Sequence, residues 1–350
     1  MKILQVAPPW IPVPPEGYGG IEWIVHWLTA GLVERGHEVH LIAAGDSRSP
    51  APTRSVMSSD PERLFEHVLP DVLQGLEAVE AAEELEPDLV HDHTLIGSVG
   101  LSGRWSYVTT AHGPTDGWFG RFYERLSRRG HVVAISEAQR ASAPRIAWAA
   151  TIHNAIDVGS FPLSEGDRGF VTWLGRLAPE KGAHLAIEAA RRAGVPIVLA
   201  GRVSDGPEAA YFEREVRPRL GDDASFVGEV DEEAKRQLLL DARALLFPVD
   251  WEEPFGLVMA EAMACGTPVI AFPRGAAREV VEHGRTGFLV TDVEGMARAI
   301  GAIGELRPED CRASAATRFD VSMMVDAYES LYRRIAAEPR RRGLGVRGRG

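Results

Sequence analysis

The feature that most constrains this chain is alternation. Short apolar runs recur along its length, separated by stretches with helical spacing. The runs that read as strands are Ile3–Val6, Val39–Ala43, Leu89–His91, Tyr107–Thr110 and His131–Ile135 in the first half. In the second half they are Phe170–Leu174, Ile197–Ala200, Ser225–Val227, Ala244–Phe247 and Pro268–Ala271. Between the first two runs, Ile21, Ile24, Leu28 and Leu32 recur at helical spacing, and Gly36 is placed to stop the helix. Strands alternating with helices predict an α/β protein whose parallel sheets are covered on both faces. Residues 2–45 and 170–201 echo each other: strand, Gly-containing loop, helix, Gly, strand, then small residues ending in Gly. Each reads as the βαβ opening of a domain. A chain of 350 residues fits two domains of roughly 150 residues each. The polar stretch Phe161–Asp167, with its Pro and Gly, marks the boundary. Ligands of such sheets bind beyond the carboxyl ends of the strands, so two facing domains would enclose a cleft.

Charge and composition narrow the function. The net charge of −12 argues against a nucleic-acid binder, which needs a basic face to neutralise phosphates. An anionic ligand would need a local cluster of cations instead. The two cysteines, Cys265 and Cys311, have no C-x-x-C partner, and no zinc spacing is present, which fits a reducing compartment. Met1–Val6 reads as a strand rather than a signal peptide, and Ile21–Val33, interrupted by Glu22 and His26, is too short and too polar to span a bilayer. A cytoplasmic protein is expected. The stretch Trp118–Arg129 mixes Trp118, Phe119, Phe122, Tyr123 and Leu126 with Arg121, Arg125, Arg128 and Arg129. An ordinary surface helix is the favoured reading, and peripheral contact with the inner face of a membrane is the alternative.

Two segments carry chemistry. In Trp173–Gly182 a strand runs into a loop that presents Arg176 and Lys181. Two cations just beyond a strand end can cradle a diphosphate, Arg with a planar fork and Lys as a mobile point charge. In Asp250–Val269, Pro254 and Gly256 bracket a turn before a strong helix former, Leu257–Ala264. The amides of Phe255, Gly256 and Leu257 would then point out of a helix N-terminus, which is an anion site. Glu253 precedes that helix and Glu261 lies about 12 Å along it, at 1.5 Å of rise per residue. That spacing suits the two ends of a long ligand rather than a glycosidase-type carboxylate pair. His91 and His93 flank Asp92 at a strand end with no evident third metal ligand, and are expected to line the acceptor side.

Taken together, these segments resemble family-four retaining glycosyltransferases of the GT-B fold. Glu253 and Glu261, followed by Gly266-Thr267-Pro268-Val269, match the family's E-x7-E pattern. Gly175-Arg176-Leu177 with Glu180-Lys181-Gly182 matches its diphosphate segment, and His153-Asn154-Ala155-Ile156-Asp157 its Asn-Gly-Ile/Val-Asp segment, with Ala155 in place of Gly. Pro15-Glu16-Gly17-Tyr18-Gly19-Gly20 resembles the N-terminal glycine loop, and Val90-His91-Asp92-His93 and Ala111-His112-Gly113 also fit. The resemblance spans roughly residues 1–335 and implies two Rossmann-like doubly wound domains facing across a cleft. The first, residues 1–162, would be the acceptor side and the second, 163–320, the nucleotide-sugar side. Residues 321–336 would form a helix crossing back to the first domain, and 337–350, rich in Arg and Gly, a disordered basic tail.

The resemblance also implies roles. Arg176 and Lys181 would hold the diphosphate and stabilise the charge building on it. Glu253 would bind hydroxyls of the transferred sugar, helped by the amides of Phe255, Gly256 and Leu257. Glu261 would bind the ribose, and backbone near Gly228 and Val230 the base. Gly20 would allow close approach of backbone to donor and acceptor, and His112 would line the sugar pocket and count with Arg176, Lys181 and Glu253 as catalytic. The chain has no Asp-x-Asp metal anchor. Two cations and a helix N-terminus can replace a divalent ion, so no metal or other cofactor is expected. The expected reaction is retaining, metal-independent transfer of a hexose-type sugar from a UDP or GDP donor to a hydroxyl, by front-face attack. The acceptor is undefined by sequence: a sugar, a lipid-linked molecule or a secondary metabolite. A nucleotide-sugar epimerase on a similar fold is the alternative. A dinucleotide oxidoreductase is disfavoured, because the first strand is followed by Ala7–Pro15 rather than G-x-G-x-x-G.

Overall fold

A computed structural model describes residues 1–17, 19–59, 68–163 and 169–338. Tyr18, residues 164–168, which take in the end of the expected boundary stretch, and the arginine-rich tail from residue 339 lie outside the described residues. The chain forms two compact units. The first comprises Met1–Ile135, Arg140–His153 and the segment from Val321, and the second Ser136–Gln139 and Asn154–Asp320. The second unit thus begins at Asn154, ahead of the expected break at 162. Ile156 is the physical reason: its amide donates to Phe319 O at 2.9 Å, tying this stretch to the last turns of the second unit.

In chain order, the first unit contains β1 (Lys2–Val6), α1 (Gly20–Glu34), β2 (Glu38–Ile42), β3 (Thr53–Arg54), α2 (Leu69–Leu85), β4 (Leu89–Asp92) and α3 (Gly97–Leu101). It continues with β5 (Tyr107–Ala111), α4 (Gly117–Leu126) and β6 (His131–Ala134), then α5 (Glu137–Ser142), which straddles the two units, and β7 (Trp148–Thr151). Its sheet is parallel throughout, in the order β3-β2-β1-β4-β5-β6-β7. β1 is an interior strand, with Gln5 level with Leu41 on one side and His91 on the other. Strands β4 and β5 are wholly buried, as expected for a parallel sheet covered on both faces. Leu4, Val6, Val90, Tyr107, Val132, Ala78 and Ala82 meet in one core cluster.

The second unit contains β8 (Val171–Leu174), α6 (Ala183–Ala193), β9 (Ile197–Ala200), α7 (Pro207–Tyr211), β10 (Ala224–Phe226), α8 (Glu232–Asp241), β11 (Leu245–Phe247) and α9 (Leu257–Ala264). There follow β12 (Val269–Ala271), α10 (Ala277–Val280), β13 (Gly287–Leu289), α11 (Val293–Ala302) and α12 (Pro308–Arg318). This sheet is also parallel, in the order β10-β9-β8-β11-β12-β13. Its core gathers Trp173, Ile187, Leu199, Phe212, Leu246, Ile270 and Ile300, each large apolar side chain contributing about 1.5–3 kcal/mol by leaving water. Helix starts are capped where the sequence supplies an Asp: Asp231 accepts from Ala234 N at 2.8 Å and Asp292 from Gly295 N at 2.7 Å.

The last helix, α13 (Val321–Ala336), belongs to the first unit. It packs on α1, where Val325 lies so close to Gly31 that a methyl there would meet its Cγ2 at 2.6 Å. Met324, Tyr328, Leu331, Tyr332 and Ile335 form its buried face. No helix among the described residues is long and apolar enough to cross a membrane.

Candidate functional site

The residues singled out in the second unit fall beyond the carboxyl ends of its strands, where ligands of parallel sheets bind. Arg176 lies two residues past β8. Lys181 ends the short 3-10 turn Pro179–Lys181, and Trp173 anchors that turn by donating its indole N–H to Lys181 O at 3.1 Å. The turn closes at Gly182, whose φ is +71° and where a Cβ would lie 2.2 Å from Pro248 O. Only glycine fits that close approach. Beyond β11 the loop carries Trp251 and Glu253.

Lys181 Nζ bonds Glu253 Oε2, and Trp251 Nε1 donates to the same oxygen at 2.9 Å. Glu253 Oε1 receives no hydrogen bond among the described residues. The ammonium also stands 4.9 Å from the centroid of the Trp251 ring, within cation–π range. Glu253 is buried, at 7% exposure. Arg176 is held by two carboxylates: Nη2 donates to Glu180 Oε1 at 3.0 Å and Nη1 bonds Glu208 Oε1. Glu208 is fixed in turn, its Oε2 accepting from Ser204 N at 3.0 Å. Burial pushes the Glu208 carboxyl up, but the bonds from Arg176 and Ser204 outweigh it and hold it below the usual range.

Glu261 lies on α9, buried, and is matched by a different cation: Lys235 Nζ on α8 donates to Glu261 Oε1 at 2.8 Å and to Glu232 Oε1 at 2.7 Å. Burial works against that ammonium, but the two carboxylates prevail and raise its pKa. Glu253 and Glu261 therefore have separate electrostatic partners. At the start of α9, Phe255 is buried, Gly256 caps the helix and Leu257 is its first residue; Met259 N already donates to Gly256 O at 3.0 Å, which leaves the amides of Leu257 and Val258 as those with no acceptor inside the helix. Gly228 and Val230 lie in the loop after β10, and Gly228 O accepts from Gly201 N at 2.8 Å.

Gly275, after β12, was not singled out by sequence. Its φ is +51°, and a Cβ there would sit 2.2 Å from Glu253 O and 2.4 Å from Glu253 N. The loop is also stitched by Ala276 N to Glu253 O at 2.9 Å. Gly275→Ala is therefore expected to displace Glu253 and to destabilise the fold by about 1–3 kcal/mol, from overpacking and positive φ. Urea denaturation checks this; an unchanged midpoint would mean that the loop yields freely.

In the first unit, Gly20 opens α1 and His112 directly follows β5. His93 directly follows β4, the neighbouring parallel strand, so the two rings meet: His93 Nδ1 and His112 Nε2 are 2.9 Å apart. His93 Nε2 lies 2.9 Å from Gln5 Oε1, and Gln5 Nε2 lies 3.5 Å from Tyr332 OH. Tyr332 OH bonds His91 Nδ1, and His91 Nε2 lies 2.8 Å from Thr110 Oγ1, which bonds Tyr328 OH at 2.7 Å. His112 Nδ1 is out of contact with solvent and has no hydrogen-bond partner among the described residues. Burial lowers all three imidazoles, His112 to about 3 and His91 and His93 well below the ordinary value, so the rings are neutral. This corrects the expectation that His91 and His93 line the acceptor side. His91 is 0% and His93 4% exposed, and both nitrogens of each are bonded internally. Asp92 is turned onto Tyr107 OH at 2.6 Å and Thr94 N at 2.8 Å.

Helix α4 buries Tyr123 and Leu126, as an ordinary surface helix would, yet leaves Trp118 81% exposed beside Arg121. A cavity of about 190 Å³ lined by Arg243, Thr267, Pro268 and Ile303 lies at the amino-terminal ends of β11 and β12, away from the strand-end residues. Among the described residues, no group of three or more His, Cys, Asp or Glu side chains could hold a metal ion. Sequence reasoning missed Glu208, Trp251, Lys235, Gly275 and Gln5. Of these only Trp251 stood inside a segment already read as chemical.

Two family models match in sequence order: Glycosyltransferase Family 4 over residues 18–160 and Glycosyl transferases group 1 over residues 160–318. The glycogen synthase of Mycobacterium tuberculosis (strain CDC 1551 / Oshkosh) is 26% identical over 95% of this chain and 94% of its own. AviGT4, a glycosyltransferase involved in avilamycin A biosynthesis, aligns with a TM-score of 0.74 and 27% identity over 97% of this chain and 98% of that one. HepE of Anabaena, solved in complex with UDP and glucose, shares the fold with a TM-score of 0.73 at 23% identity, over 95% and 99% of the two chains. The two parallel α/β sheets are those of the GT-B fold, and the chain belongs to glycosyltransferase family four and is a glycosyltransferase.

Proposed function

We propose that this enzyme transfers a hexose-type sugar from a nucleotide-diphosphate donor to an acceptor hydroxyl with retention of configuration and without a metal ion. The observation that carries the proposal is the Lys181–Glu253–Trp251 cluster, which with Arg176 sits beyond the strand ends of the second unit. Arg176 and Lys181 hold the diphosphate, and phosphate oxygens replace the carboxylates that hold them now. Glu253 turns Oε1 to sugar hydroxyls. Glu261, oriented by Lys235, takes the ribose, and the loop at Gly228 and Val230 takes the base. Gly20 and His112 act from the first unit.

In the front-face reaction the acceptor oxygen forms its bond to the anomeric carbon on the side from which the diphosphate leaves. The bond from that carbon to the phosphate oxygen breaks, and the hydroxyl proton passes to the leaving diphosphate. No side chain need be a strong base. The cations contribute by stabilising charge that grows only in the transition state. The epimerase alternative gains no support from the family match. The buried free thiols Cys265 and Cys311, both pushed up to about 12 by burial, support a cytoplasmic setting.

UDP is the first donor fragment to test, with GDP, ADP and dTDP beside it. A fragment at 100 times its dissociation constant stabilises the fold by about 2.7 kcal/mol, a readily measured rise in melting temperature. No shift with any of the four would overturn the donor assignment. Release of the nucleoside diphosphate from the matching sugar donor is expected to persist in EDTA. Loss in EDTA with recovery on adding manganese would overturn metal independence.

A further inference from the structure

We propose that His93 is a positioning residue that fixes His112 as the Nε2–H tautomer, so that His112 Nδ1 presents a bare lone pair to a hydroxyl of the bound sugar. The inference deepens the donor-site reading of His112 and rests on it for the identity of the ligand.

The direction of every proton in the chain follows from one bond. Tyr332 OH bonds His91 Nδ1. A phenol is a good hydrogen-bond donor and an unprotonated imidazole nitrogen a good acceptor, so the tyrosine proton points at His91. The Tyr332 oxygen is then free to accept, and what faces it is Gln5 Nε2, which can only donate. That orientation turns Gln5 Oε1, which can only accept, toward His93 Nε2 at 2.9 Å. His93 must therefore carry its proton on Nε2. A neutral imidazole has one N–H, so His93 Nδ1 is an acceptor. His112 Nε2, 2.9 Å away, must donate to it, and this spends the one proton of His112. Nδ1 of His112 is left as a lone pair, shielded from solvent and without a partner among the described residues. On the far side, His91 Nε2–H goes to Thr110 Oγ1 at 2.8 Å, which closes the pattern with every ring neutral.

An unsatisfied buried polar atom costs about 1–3 kcal/mol, and such atoms are few in folded proteins. The other five nitrogens of the three rings are bonded, which makes the exception informative. An acceptor held in place by a neighbour, and made unable to switch tautomer, is preorganised for a hydroxyl donor. Gln5 and His93 come from β1 and from the end of β4, two interior strands of the first-unit sheet, so the lock is built on rigid backbone.

The test is a two-bond nitrogen–proton correlation spectrum of the histidine side chains in the ligand-free, full-length protein, assigned by His112→Gln and His93→Asn. The expected result is a proton on Nε2 of both rings and none on Nδ1 of either. A proton on His112 Nδ1 would overturn the inference and would mean that Gln5 sits the other way round. Kinetics give a second, independent readout. His93→Leu, which removes the acceptor opposite His112, is expected to lower kcat for the donor at least tenfold, as loss of an orienting partner does elsewhere. His93→Asn, whose Oδ1 can stand where Nδ1 stood, is expected to restore most of the rate. Equal rates for the Leu and Asn variants would overturn the positioning role. If His112→Ala keeps full kcat, the sugar-site reading fails, and the spectrum still decides the tautomer.

Discussion

Lys181→Ala is expected to lower kcat by roughly 10²–10³-fold, the usual cost of losing one preorganised donor to developing negative charge. In the proposed reaction that charge collects on the departing diphosphate, and Lys181 is one of two cations placed to meet it. KM for the donor is expected to move much less. In that reading Arg176 still binds the ground-state diphosphate, and an interaction made chiefly in the transition state shows in kcat. The substitution has a structural side as well. Glu253, with a side chain 9% exposed, loses its cation and, among the described residues, keeps the indole bond from Trp251. Melting curves must therefore accompany the rates, and Lys181→Arg separates the two effects. That variant retains charge beside Glu253 but replaces a compact ammonium by a planar fork, so stability should return while kcat stays well below wild type. A folded Lys181→Ala protein with kcat within threefold of wild type would remove Lys181 from the chemistry.

The second large effect is expected at Lys235→Met. The ammonium of Lys235 serves Glu261 and Glu232, and the side chains of Lys235 and Glu261 are only 17% and 8% exposed. Taking away the cation strands a buried carboxylate, which typically costs about 3–5 kcal/mol. Adding Glu261→Gln should recover much of that loss, because the stranded charge goes too. A double-mutant cycle in urea at neutral pH measures the coupling. Strict additivity would show that the two groups do not communicate. Because folding raises the Lys235 pKa, the pair's contribution is fully present at neutral pH. It should fade only as pH rises past the ordinary lysine value of 10.5 toward the higher folded value. Acidification to pH 6 should leave this part of the stability intact. If Glu261 holds the ribose, Lys235→Met should also weaken binding of the free nucleoside diphosphate, a consequence that a purely structural pair would not have.

Both predictions concern partners far apart in the chain, and this is where sequence reading stops. Ten strands were legible, and nine of them are interior strands, which in a parallel sheet are buried on both faces and so appear as apolar runs; the tenth, Ala224–Phe226, is an edge strand. The three that were not, Thr53–Arg54, Trp148–Thr151 and Gly287–Leu289, are all edge strands. Each has a local reason. The first is two residues long, and the second is half-buried throughout. The third opens on a glycine that approaches Val269 O so closely that a Cβ would lie 1.9 Å away. Nothing in their own composition sets such strands apart from loops; the neighbour does.

The candidate site divides in the same way. Arg176, Lys181, Glu253, the α9 N-terminus and Glu261 were legible because they follow strand runs at fixed short intervals, and chain connectivity alone puts such residues at the carboxyl ends of parallel strands. His112 was legible for the same reason, one residue past β5. The pairings were not legible. Lys181 and Glu253 are 72 residues apart, Arg176 and Glu208 32, and Gln5 and His93 88. Pairs like these depend on which strands lie side by side and in what register, and on which helix covers them.

The sequence by itself determined the α/β alternation, the two units, the strand ends and the charged groups that stand there. Local propensity and chain connectivity are short-range properties, and each segment carries its own. Only the tertiary structure decided that Glu253 answers to Lys181 and Glu261 to Lys235, that His91 and His93 belong to the interior, and that His112 has one nitrogen bonded and one without a partner among the described residues. Those outcomes depend on which groups burial brings within about 3 Å of each other, where a donor must find an acceptor.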